Sequence, residues 1–238
     1  MPTPVAPAEA QNPRRDRIAE LFAKNRLLIG IELLLALACV LLRLKGVLHN
    51  PTLVIFLMGW FSLWLGGQGW RSVGFRVPKR WWTTVLAGIG IGVVYDAFDV
   101  LALTPFLHRV TGDAIHVEGM SNTIHGNLGG LLAYLALVWL VAALVEEMTF
   151  RGYLFNRMTD LWGSGRVGVA ASFLVVSVLF GIVHWNQGPT GVLDNVAAGA
   201  LFMAMYIVSG RNLWLPILVH GVVDTTSMVL LYLGINLG

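Results

Sequence analysis

Charge is scarce in this sequence. Only 12% of its 238 residues are Asp, Glu, Lys or Arg, roughly half of the ~25% usual in globular domains. Cysteine is scarcer still: Cys39 stands alone inside an apolar run, which excludes an intrachain disulfide and any multi-cysteine metal site. There is no internal repeat, and no low-complexity tract beyond an Ala- and Pro-rich N-terminal stretch. No ten-residue alternation of polar and apolar positions points to a barrel. What is abundant is apolar matter, at 56% of the chain, more than a soluble core of this size can hide. A disordered chain and a soluble enzyme are thereby set aside in favour of an integral membrane protein. The net charge of +3 does not call for nucleic acid, because basic residues in a membrane chain record topology.

Seven apolar segments are legible, at roughly 27 to 43, 51 to 67, 82 to 107, 128 to 158, 166 to 187, 190 to 209 and 212 to 235. At ~1.5 Å per residue each is long enough to cross a hydrocarbon core of ~30 Å, the second only barely. Open strand edges in lipid leave backbone groups unpaired, so the expected fold class is all-α, a polytopic transmembrane helix bundle of about seven spans. Asp96, Asp99 and Pro105 interrupt the third segment, where a bend or break is expected. The first segment reads as an uncleaved helix; its rival is a cleaved signal, with Ala36 to Cys39 a weak lipoprotein-like site.

With seven spans one side receives Arg14, Arg15, Arg17, Lys24, Arg26, Arg71, Arg76, Lys79, Arg80, Arg151, Arg157, Arg166 and Arg211, and the other Arg43, Lys45 and Arg109. That bias places the N-terminus in the cytoplasm of a bacterial-type plasma membrane. Residues 1–26 read as a cytoplasmic tail with a basic segment, 27–127 as N-terminal membrane helices with an interfacial loop, and 128–238 as the core that carries the chemistry. The loop from Gly69 to Trp82, rich in Trp and basic residues, reads as an anchoring element at the cytoplasmic interface.

Ionisable groups inside spans cost about 2.5 to 3.5 kcal/mol each on insertion scales and face the bundle interior or a wet cavity. Here they are Glu32, Asp96, Asp99, Glu146, Glu147, Arg151, His184, Asp194, His220 and Asp224. Glu147 and Arg151 stand four apart in the acid-first order that favours an ion pair. Glu146, turned ~100° away, has no local partner and is free to take or give a proton. The bland reading makes all three a buried electrostatic clasp. Phe180 lies one turn before His184, where it can wall off the imidazole, and His220 one turn before Asp224, which can fix its tautomer. Singly, each histidine also fits a hydrogen-bonded packing role. Pro216, four before His220, is expected to kink the last span.

Gly163-Ser164-Gly165 is a turn signal, and Glu146 and His184 each lie nineteen residues from Gly165. In an antiparallel hairpin they would be level. Both would then lie ~28 Å from the turn at ~1.5 Å per residue, so the hairpin tip must project or the helices tilt. The depth of His220, about eight residues into its span, has no ready explanation.

Glu146-Glu147-x-x-x-Arg151, Phe180-x-x-x-His184, and His220-x-x-x-Asp224 after Leu213-Trp214-Leu215-Pro216-Ile217 together resemble the CPBP family of CAAX proteases and bacteriocin-processing intramembrane proteases. The resemblance covers about residues 128 to 235, and the stretch Arg71 to Trp81 looks like the segment that precedes the family core. It implies an intramembrane endopeptidase in which Glu146 and His184 activate a water, with Glu147, Arg151 and Phe180 in support and His220 and Asp224 at the oxyanion. Asparagine is usual where this chain has Asp224. An ionised aspartate repels an oxyanion, so Asp224 is protonated, or orients His220, or impairs activity.

The resemblance favours a glutamate mechanism with no cofactor and no metal. Zinc held by Glu146, His184 and His220 is the minority reading, since one Glu and two His form a familiar hydrolytic ligand set. The expected partners are a membrane protein or peptide substrate and the lipid bilayer, with no nucleic acid; substrate identity and oligomeric state are not encoded legibly. Two rivals stand beside the protease: a scaffold or immunity protein that keeps the fold and binds a membrane partner, and a transporter with Glu32, Asp96, Asp99 and Asp194 as relay groups.

Overall fold

The computed structural model describes residues 13–235. Of the expected tail, residues 1–12 lie outside the described residues, while Pro13–Lys24 forms a helix, α1. The membrane helices follow as α2 (Arg26–Leu44), α3 (Pro51–Leu65), α4 (Trp81–Thr111), α6 (Leu128–Trp162), α7 (Arg166–Val183), α8 (Gly188–Val208) and α9 (Trp214–Tyr232), with a short α5 (Glu118–Ile124) before α6. Among the described residues there is no strand. Each of the seven apolar segments is a helix, and six are long and apolar enough to cross a membrane. The exception is α3, with 15 residues. The protein is an all-α integral membrane bundle.

The helix starts follow from side chains that satisfy orphan N–H groups. Asn25 accepts from Leu27 and Leu28, Asn50 from Leu53, and Asn127 from Gly130, each acting as an N-cap where lipid offers no substitute. The third segment does not break. It runs on to Thr111, and a stretch of wider, π-type turn at Asp99–Leu103 absorbs the N–H that Pro105 lacks. Pro216 does not kink the last span either. That helix begins at Trp214, so the proline lies in its first turn, where the missing donor costs nothing.

Close approach brings α4 and α9 together. A Cβ on Gly88 would lie 2.5 Å from the Leu218 Cβ, and one on Gly92 2.7 Å from the Val222 Cβ, so only glycine at i and i+4 allows this contact. The loop between α3 and α4 is more than an anchor. Trp70 stacks on Phe56 at 5.1 Å and Phe75 on Trp214 at 5.3 Å. The Leu213 N–H donates to Gly74 O, and Asn212 Nδ2 to Arg76 O. The loop is thus sewn to the α8/α9 turn.

The α6/α7 hairpin projects past that turn. Arg211, in the α8/α9 turn, donates to Asn156 Oδ1 at 3.1 Å, more than a turn short of the end of α6, while Arg26 reaches Leu161 O nearer the tip. This offset answers the question of depth. His220 needs few residues from its turn to reach the level that Glu146 reaches in nineteen.

Candidate active site

A chamber of about 460 Å³ lies between α4, α6, α7, α8 and α9 and extends toward the loop ends at Asn50, Ile115 and Gln187. Glu146, His184, His220, Asp224 and Phe180 all line it. Glu147 and Arg151 lie behind it, fully buried. The seven residues singled out in the sequence therefore converge on one place.

Glu147 is the hub of the buried layer. Its Oε1 accepts from Arg151 Nη1 at 2.8 Å and pairs with His220 Nδ1 at 2.9 Å. Arg151 also donates to Gly199 O at 2.8 Å, which ties α6 to α8. Its guanidinium lies 4.5 Å from the centroid of Phe180 and 5.3 Å from that of Phe202, a desolvated cation between aromatic faces. Arg151 is thus a core residue, and it drops out of the set that reports topology.

His220 is held on three sides. Phe202 stacks on its ring at 4.5 Å and 17°, Glu147 takes Nδ1, and Asp224 Oδ2 lies 3.4 Å from Nε2. Each nitrogen of the ring thus faces a carboxylate oxygen and is placed to donate to it. Among the described residues no group of three or more His, Cys, Asp or Glu has a metal-holding arrangement.

His184 sits just past the end of α7, as its cap, not inside a span that runs to residue 187. Its Nδ1 pairs with Phe180 O at 2.8 Å. A carbonyl only accepts, so Nδ1 carries a proton, which leaves Nε2 as the nitrogen able to accept. Phe180 lies 5.0 Å from His184 and 5.9 Å from His220, ring to ring, and forms the floor between them. Glu146 is within electrostatic reach of both histidines. Its Oε2 is buried and has no hydrogen-bond partner among the described residues.

Four further intramembrane acids separate into two fates. Glu32 and Asp96 do not line the chamber: Glu32 pairs with Arg157, Ser62 and Tyr153 away from it, and Asp96 sits behind Ser227, a lining residue from which it accepts at 2.9 Å. Asp99 and Asp194 line the chamber with Tyr95. Sequence reasoning had named these acids without a site for them. The only signal it contained was the spacing of Tyr95 and Asp99, which puts both on one helical face.

Residues 128–226 match the family described as type II CAAX prenyl endopeptidase, Rce1-like. The match runs from α6 into α9 and covers Glu146, Glu147, Arg151, Phe180, His184, His220 and Asp224, while Tyr95 and Asp99 lie outside it. No curated protein and no solved structure matches the chain.

Proposed function

We propose, for a chain whose residues 128–226 belong to the Rce1-like family of CAAX-type proteases, that it hydrolyses a peptide bond of a membrane-associated protein or peptide with a water activated by Glu146 and His184. The observation that carries this reading is the unpartnered, buried Glu146 Oε2 within electrostatic reach of an imidazole that lines the same chamber and whose Nδ1 is taken by Phe180 O. A water between them loses its proton to the carboxylate as its oxygen attacks the carbonyl carbon. Glu146 then returns that proton to the leaving amine nitrogen. His184 orients the water through Nε2. Charge that develops on the carbonyl oxygen is met by His220 Nε2–H, a donor fixed in advance by Glu147 and Phe202. Asp224 shares that donor. Its role is to keep Nε2 protonated and to yield it to the oxyanion.

The direct test is a comparison of membrane peptides from cells carrying the wild type and Glu146→Gln, each with and without a chelator. Peptide ends that disappear in the variant and survive chelation are expected. Ends that persist in both Glu146→Gln and His184→Ala sink the protease and leave a scaffold; ends that vanish on chelation make the enzyme a metalloprotease.

The basic residues gather at the end bearing the α6/α7 and α8/α9 turns, while the chamber extends toward the opposite end. With Arg151 removed from the count, the bias still puts that basic end and the N-terminus inside. The mouth then opens on the outer face. In a Cys39→Ala background, an impermeant thiol reagent added to intact cells should label His49→Cys and spare Gly69→Cys. The reverse pattern inverts the topology.

A further inference from the structure

The chamber holds more acid than hydrolysis needs. Asp99 of α4 is steadied by Thr104 Oγ1 at 3.2 Å, and Asp194 of α8 lies within hydrogen-bonding reach of it. Two carboxylates that only accept cannot rest together in an apolar bundle unless something positive lies between them. A proton is the smallest such occupant, and the chamber that both acids line has room for a far larger one. Three buried oxygens without a hydrogen-bond partner among the described residues, Tyr95 OH, Glu146 Oε2 and Asp194 Oδ1, belong to residues that line this one volume. None of the described lining residues is Lys or Arg, and His220, which also lines the chamber, is engaged by Glu147 and Asp224.

We propose that Asp99 and Asp194, with Tyr95, form a subsite for one cationic side chain, Lys or Arg, of the peptide that is cut at Glu146. The proposal rests on the protease reading for the identity of its ligand. An alkylammonium or guanidinium brings several N–H donors at the end of a long apolar stem. The chamber matches both parts, with Val100, Val138 and Val141 lining it alongside the acids. A bare metal ion fits less well, because no cluster of three metal-ligating side chains is present among the described residues. The subsite and the hydrolytic pair occupy one chamber, so it would set the cut at a fixed offset from a basic residue.

Binding and cleavage are measured separately, with full-length protein in vesicles and a membrane-anchored peptide that carries lysine at one position or norleucine, which keeps the stem and removes the charge. In the Glu146→Gln protein the lysine peptide should bind at least about tenfold tighter than the norleucine peptide. In Asp99→Asn/Asp194→Asn the ratio should fall to about one, with thermal unfolding followed to show that the double variant is folded; Asp194→Asn alone serves if it is not. A ratio near one already in the parent protein overturns the subsite, as does a preference that survives both substitutions. Calcium binding lost in the double variant, with no lysine preference, makes the pair an inorganic-cation site and also overturns it. A lysine preference without cleavage by the wild type keeps the subsite and removes the protease.

Discussion

Two buried Glu–Arg clusters lie in this bundle, and they are built to different ends. In the first, Glu32 of α2 meets Arg157 of α6, with Ser62 of α3 and Tyr153 of α6 around them. Both of its carboxylate oxygens are engaged: Oε1 accepts from Ser62 at 2.6 Å, and Oε2 accepts from Tyr153 OH at 3.0 Å and lies 3.1 Å from Arg157 Nε. In the second, Glu147 Oε1 carries both Arg151 and His220, while its Oε2 has no hydrogen-bond partner among the described residues; the Nε atoms of Arg151 and Arg157 lack one in both clusters, so the carboxylate is what differs. The first cluster has no function left over once three helices are joined. The second is next to an open chamber and holds a histidine that faces it. A cluster whose carboxylate is fully engaged closes a structure, and one with a free carboxylate oxygen beside a void prepares it for a ligand.

The comparison breaks most sharply through single substitutions. Arg157→Met leaves Glu32 buried and uncompensated, so thermal or denaturant unfolding should show a loss of about 3–5 kcal/mol. Arg151→Met should cost a similar amount by the same reasoning. A loss well under 1 kcal/mol in either case would mean that water reaches the cluster.

Paired substitutions sharpen it next. Removing both charges of a buried pair is often close to neutral, so Glu32→Gln/Arg157→Met should recover folding to within about 2 kcal/mol of wild type and recover cleavage with it. Glu147→Gln/Arg151→Met should recover folding alone, because His220 has lost the partner of its Nδ1. If that second pair cleaves as the wild type does, Glu147 is a structural residue like Glu32. The smallest effect is expected at Asp224, which is partly open to the chamber. Asp224→Asn should move stability by about 1 kcal/mol or less, in keeping with a partly solvated pair, and a larger fall would show that Asp224 locks His220 structurally.

Much of the fold was legible, for a physical reason. A hydrocarbon core demands long apolar helices with their backbone bonds satisfied internally, and each of the seven segments became one. Errors arose where helix ends matter. The π-type turn that carries α4 past Pro105 and the start of α9 at Trp214 depend on how neighbours pack, and apolar periodicity does not report that. The i, i+4 contacts of Phe180 with His184 and His220 with Asp224 were readable because helical geometry favours them, and Glu147 meets Arg151 as expected although that part of α6 runs in wider, π-type turns. The Glu147–His220 pair, seventy-three residues apart, was not, since nothing local relates α6 to α9.

The sequence by itself determined that the chain is a membrane-embedded helical bundle and which polar residues had to find partners inside it, because burial in lipid penalises every unpaired charge. Only the tertiary structure decided how those residues were divided. The glycine contacts that draw α4 onto α9 and the offset of the α6/α7 hairpin left Glu32 in a closed cluster and Asp96 behind Ser227, and placed Glu146, His184, Asp99 and Asp194 around one chamber.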